Sequence, residues 1–156
     1  MTKTIAISLS PNTEPDDVRL AVRLLLFPFK KNREAKTIIE EELSLILNNS
    51  KVALTSSGRS ALVIALKSAG LKPGDEVITQ AMTCVSVPQS IKLCGAQPVY
   101  CDINYSDFNL NINDLKKRLT PKTKAIIVQH TFGLPAAIDK ITEIARAHNL
   151  ITVSYT

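Results

Sequence analysis

Five consecutive residues, Ser56-Ser57-Gly58-Arg59-Ser60, carry more hydrogen-bonding capacity than a change of chain direction requires. They follow the apolar stretch "KVALT" and lead directly into "SALVIAL", an apolar pattern of helical spacing. The first amides of a helix have no partner inside it and carry the positive end of its dipole. A glycine there lets a bulky anion approach the backbone, and serine hydroxyls add donors, so the run suits a phosphate group. A plain helix cap, with Ser56 or Ser57 accepting from amides two or three residues on, would use the same residues. The run is neither a GxGxxG fingerprint nor a Walker loop, because the chain's five glycines are too dispersed for either. Local sequence leaves the seat and the cap both open.

Other reactive side chains are few. Three cysteines, Cys84, Cys94 and Cys101, lack CxxC spacing, which argues against a disulfide framework or zinc site and for reduced thiols. His130 and His148 belong to separate segments and read as lone polar residues, so no metal site is expected. The net charge of +5 suits an anionic ligand, but the basic residues are scattered and aromatics are only 4%, which excludes a stacking platform for nucleic acid. No apolar run approaches the roughly 18 residues needed to cross a bilayer. The start "MTKTIAISLS" does not read as a signal peptide, so a cytoplasmic location is expected.

The elements that must position these residues alternate. Two helices are expected first, Val18 to Leu26 with a stop near Pro28, and Arg33 to Leu47 with Ile39, Leu43, Ile46 and Leu47 on one face. From Lys51 the pattern is strand then helix. "KVALT" reads as a strand and Arg59 to Ala69 as a helix burying Ala61, Leu62, Ala65 and Leu66, with Gly70 as its left-handed end. "GDEVITQ" is a second strand, followed by a helix from Val85 to Leu93 with Pro88 in its first turn. "PVYCDI" is a third strand, and Asn113 is placed to cap the helix "DLKKRL". "KAIIVQ" is a fourth, Asp139 to His148 a helix burying Ile138, Ile141, Ile144 and Ala145, and "LITVSY" a fifth. Strands without polar alternation, separated by helices, predict an α/β fold: three layers, α-β-α, around a mostly parallel sheet.

Read together, "SGRSAL", "LKPGDEVI", "GAQPVYCDI", "TPKTKAIIVQH" and the G-x-P-A of Gly133 to Ala136 resemble the DegT/DnrJ/StrS family of sugar aminotransferases, in register from Lys51 to Leu150. The resemblance implies an incomplete large domain of a fold that binds pyridoxal 5'-phosphate (PLP), over 51–156, after an N-terminal helical segment over 1–50. It places Gly58 and Arg59 where the family holds the cofactor phosphate on backbone amides. Arg59 departs from the small residue usual there, so its guanidinium could add to the seat or obstruct it. Cys84 falls where many relatives stack an aromatic residue on the cofactor ring, and packs less extensively than an aromatic would; a small buried thiol is the other reading.

The resemblance also implies what the sequence does not supply. The family's aspartate, which balances the charge of the pyridine nitrogen, aligns with Tyr155, and its acidic neighbour with Ser154. A phenol is neutral at physiological pH and cannot balance a pyridinium. The lysines from Lys67 to Lys140 fall on helix surfaces or turns, and none matches the segment that carries the family's Schiff-base lysine. No catalytic residue is therefore assigned. The expected identity is an N-terminal fragment, from a frameshift or early stop, of an aminotransferase using an amino donor and a nucleotide sugar. Such an enzyme would serve lipopolysaccharide, O-antigen or antibiotic sugar synthesis as a homodimer. Alternatives are a non-catalytic module that pairs with another subunit, and a generic nucleotide-binding α/β domain.

Overall fold

The computed structural model describes residues 14–27 and 33–155. They fall into two compact units, one ending at Leu54 and one beginning at Thr55. In the first, helix α1 spans Pro15–Leu26, three residues longer at its start than its apolar pattern suggests. Pro15 suits a first helical position, and the Glu14 amide donates to Asp17 Oδ2 at 2.9 Å. The stop read at Pro28 lies outside the described residues. Helix α2 spans Arg33–Ile46, and Asn48 and Asn49 follow it at φ 53° and 60°, left-handed conformations that end a helix. Its apolar face is not buried within the unit: Ile39, Ile46 and Leu47 remain exposed.

"KVALT" is not a strand. A strand needs a neighbour, and no described segment pairs with residues 51–55. The Leu54 amide instead donates to Glu40 Oε1 of α2 at 2.9 Å, a side-chain partner in place of a ladder.

The second unit alternates helix and strand: α3 (Gly58–Ser68), β1 (Glu76–Gln80), α4 (Ser86–Leu93), β2 (Gln97–Cys101), α5 (Ile112–Arg118), β3 (Thr123–Gln129), α6 (Ile138–Ala147) and β4 (Ile151–Tyr155). The strands form one parallel sheet in the order β2-β1-β3-β4. Val77, Ala125 and Ile127 face α3 and α4, where Leu62, Leu66, Val87 and Ile91 pack on them. Ile78, Ile126 and Val128 point the other way, against Leu115 of α5 and Ile141 and Ala145 of α6. Both sheet faces are apolar, which is why the strands carry no polar alternation and why three layers form.

Punctuation follows local chemistry. Gly70 and Gly95 take φ 77° and 80° after α3 and α4, and Asn149 takes φ 54° after α6. Pro88 sits in the first turn of α4. The cap of α5 is Asn111, not Asn113: its Oδ1 accepts from the amides of Asn113 at 2.9 Å and Asp114 at 3.0 Å. Asn111 holds the extended backbone a cap requires, whereas Asn113 is already helical. Ala61, Ala65 and Ile138, expected inside, are exposed, because α3 and α6 turn Leu62 and Leu66, and Ile141 and Ala145, toward the sheet, with Val63 and Ile144 half-buried beside them. Among the described residues no helix is long and apolar enough to cross a membrane.

Leu66 is fully buried between α3 and the sheet. Leu66→Ala is expected to lower unfolding free energy by about 2–5 kcal/mol. Ala65→Ser, one residue away and exposed, should stay within about 0.5 kcal/mol. Urea unfolding followed by circular dichroism measures both.

Candidate active site at the strand ends

The chain runs from β1 outward to β2, then returns to the other side of β1 to lay down β3. Right-handed crossovers then send the loop after β1 toward α4 on one face and the loop after β3 toward α6 on the other. The two loops diverge and leave a crevice beyond the carboxyl ends, the place where open parallel sheets bind ligands. A cavity of about 330 Å³ lies there. Gln80, Thr83 and Cys84 line it from the β1 side, Gln129 to Phe132 from the β3 side, and Tyr155 from the end of β4.

Helix α3 brings its first turn to the same end. Ser57 is its N-cap, with Oγ accepting from the Ser60 amide at 3.1 Å, and the hydroxyls of Ser56 and Ser57 lie 3.3 and 3.0 Å from that of Ser60. The amides of Gly58 and Arg59 donate to no acceptor among the described residues. Cap and open amides therefore coexist: Ser57 satisfies Ser60 and leaves the two preceding donors free. A Cβ added at Gly58 would stand 3.8 Å from the Tyr155 hydroxyl, so the phenol faces the first turn of α3.

Cys84 is exposed, not the small buried thiol that was one reading. The Ser86 hydroxyl donates to its Sγ at 3.2 Å. That bond, a second from the Ser86 amide, and the nearby Arg59 charge hold the thiol below its ordinary range. Burial works the other way on its sisters: Cys94 is raised, and Cys101 is pushed up to about 12, with Asp114 adding to the effect. Arg59 and Cys84 are thus neighbours in charge, and the Ser90 hydroxyl on α4 lies 3.4 Å from the Arg59 carbonyl.

A buried polar network that sequence reasoning missed fixes the cavity wall. Gln80, 1% exposed, donates through Nε2 to the Met82 carbonyl at 2.7 Å and to Thr131 Oγ1 at 2.9 Å. Asn109, also 1% exposed, accepts from the Thr131 amide at 2.9 Å and donates to the Leu134 carbonyl at 3.0 Å. The only signal in the sequence was the density of polar residues in "NYSDFNLN", which any surface loop shares. His130 is not a lone polar residue. Its Nδ1 accepts from the Ala136 amide at 3.1 Å, so the neutral ring carries its proton on Nε2, which faces Ser154 Oγ at 3.4 Å.

A family model for DegT/DnrJ/EryC1/StrS aminotransferases matches residues 30–154. The chain belongs to that family. It is 41% identical over 98 residues to GDP-perosamine synthase of Caulobacter vibrioides, covering 63% of this chain and 26% of that protein. Similarity to UDP-2-acetamido-2-deoxy-3-oxo-D-glucuronate aminotransferase of Pseudomonas aeruginosa runs to 36% over 114 residues, 73% of this chain and 32% of the relative. Among solved structures, an aminotransferase from Psychrobacter cryohalolentis superposes with a TM-score of 0.83 at 27% identity, covering 94% of this chain and 38% of that one. NtdA of Bacillus subtilis, solved with its cofactor PMP, gives 0.79 at 29% identity, covering 90% and 33%. The chain thus spans about a quarter to two fifths of these relatives, and its sheet and helices are part of the PLP aminotransferase fold.

The residues present fit one half of the family's cofactor. Two free amides at a capped helix start suit its phosphate. Among the described residues neither a carboxylate nor a lysine lines the cavity, and Tyr155 stands at the end of β4. No catalytic step follows from this site.

The lowered Cys84 pKa has a sign that can be checked. Its thiolate forms at lower pH than an ordinary cysteine's, so iodoacetamide should label Cys84 near neutral pH while buried Cys94 and Cys101 stay unmodified in the folded protein. Ser86→Ala should move the labelling midpoint upward, and Arg59→Met should move it less. Mass spectrometry across a pH series reads each site.

Proposed function

We propose that this chain is the amino-terminal portion of a PLP-dependent aminotransferase acting on keto-sugar nucleotides, in which Gly58 and Arg59 hold the cofactor phosphate on their amides. Residues 51–156 are then part of its PLP-binding large domain, and Cys84 lies along the ring. What carries the reading is the pair of unpartnered amides at the start of α3, beside a cavity at the strand-order reversal. Relatives whose names specify amino transfer to an oxo sugar on UDP support the substrate class. The amino donor is glutamate, the parent enzyme a cytoplasmic homodimer, and the pathway one of lipopolysaccharide, O-antigen or antibiotic sugar synthesis.

The same reading holds that these 156 residues alone do not transaminate. A cavity wall without lysine offers no amine to form the Schiff base, and without a carboxylate it lacks the family's partner for a protonated ring nitrogen. Purified chain supplied with PLP, glutamate and a UDP-linked keto sugar is expected to release no 2-oxoglutarate above the protein-free control. Steady turnover would overturn the expectation that these residues alone are inactive.

A further inference from the structure

The two edges of the sheet are built differently. β2 forms one and carries Pro98 in its second position, a residue with no amide to offer a further strand. β4 forms the other: it pairs with β3 from Ile151 to Tyr155, and no described segment lies along its far side. Alternate backbone donors and acceptors of β4 therefore point outward without a ladder. Native edges are ordinarily blunted by proline, by charge or by a bulge. Ile-Thr-Val-Ser-Tyr has no proline and no charge, its register against β3 is unbroken, and all but the serine are β-branched or aromatic.

The side chains make this edge self-complementary. Val153 and Tyr155 pack on the apolar cluster beneath α3 and α4, and Ile151, two residues earlier on the same face, is 40% exposed. Thr152 and Ser154 take the opposite face. About a two-fold axis perpendicular to the sheet at Val153, a second β4 runs antiparallel and each residue meets one from its own face. Ile151 then falls opposite Tyr155 of the second copy, Val153 opposite Val153, and Thr152 opposite Ser154. These are an aliphatic-aromatic pair, an apolar pair and a hydroxyl pair, and no charge is brought against a like charge. A slip of one residue would put apolar side chains on the hydroxyl face, and a slip of two would carry the end of each strand past its partner.

We propose that β4 is a docking edge for a second copy of this 156-residue chain, the two strands pairing antiparallel through Val153 so that two four-stranded sheets become one. Pairing consumes both open edges and leaves a β2 with its Pro98 at each end, so assembly closes at two chains. The inference is independent of the phosphate seat proposed above.

Sedimentation velocity of the full chain in reductant, over a wide concentration range, is expected to show monomer passing to dimer and nothing larger. Hydrogen exchange at the two ends of that range should show added protection of amides within 151–155 in the dimer and no change in β2. Val153→Lys and Val153→Glu each set like charges face to face at the axis, so each variant should remain monomeric where the unsubstituted chain dimerises. Mixing the two in equal amounts should restore a dimer, because opposite charges then meet. A fold merely weakened at Val153 would not be rescued by mixing, and circular dichroism checks that each variant is folded. If the variants do not fold, the exchange pattern of the unsubstituted chain decides alone. A chain that stays monomeric throughout, or that forms mainly species larger than a dimer, overturns the proposal. So does a folded Val153→Lys that still dimerises by itself. A dimer joined instead through the exposed apolar residues of α1 or α2 would leave the β4 amides unchanged, and that result also overturns it.

Discussion

The reversal of strand order at β1 is the constraint on which the site depends. Parallel strands must be joined by crossovers, and right-handedness ties the direction of each step in the sheet to the face on which its helix packs. Stepping from β1 to β2 puts α4 on one face, and returning past β1 to β3 and β4 puts α6 on the other. The loops leaving β1 and β3 are adjacent strand exits that turn away from each other. The cavity between them is therefore a consequence of topology, and its lining is whatever residues occupy those exits.

That geometry explains why widely separated residues meet. Gln80 ends β1 and Gln129 ends β3, so both lie at the floor of the crevice. Thr131, just beyond β3, bonds both Gln80 and Asn109, which comes from the loop after β2. Low solvent access makes these bonds demanding, because any one left unmade would strand a buried polar group. The network holds the 131–134 turn against the 103–110 loop and keeps two phenylalanines in backbone conformations that neither would choose unaided.

Charge and burial divide the thiols along the same lines. Cys84 sits on the loop that leaves the sheet, where a hydroxyl, an amide and a guanidinium favour its thiolate. Cys94 and Cys101 lie under helices, where desolvation favours the thiol. One residue type thus has two chemistries within a few turns of chain, and exposure at the crevice separates them.

The alternation of apolar strands and helices, the turns at Gly70, Gly95 and Asn149, and a serine cap at Ser56 or Ser57 were legible in the sequence, because each rests on periodicity or on backbone preferences within a few residues. Motifs spread from Gly58 to Ala136 sufficed for the family as well. "KVALT" misled because a strand is defined by a neighbour, and apolar composition does not say whether one is present. Asn111 and Asn113 differ by less than a turn, so only the backbone conformation could choose between them as caps. The facing of Tyr155 and Gly58, the Arg59 charge beside Cys84, and the pinned aromatic pair of Phe108 and Phe132 depend on the crossovers that bring separate loops together. Those contacts join residues from separate loops, whose meeting depends on the handedness of the connections and not on any local preference.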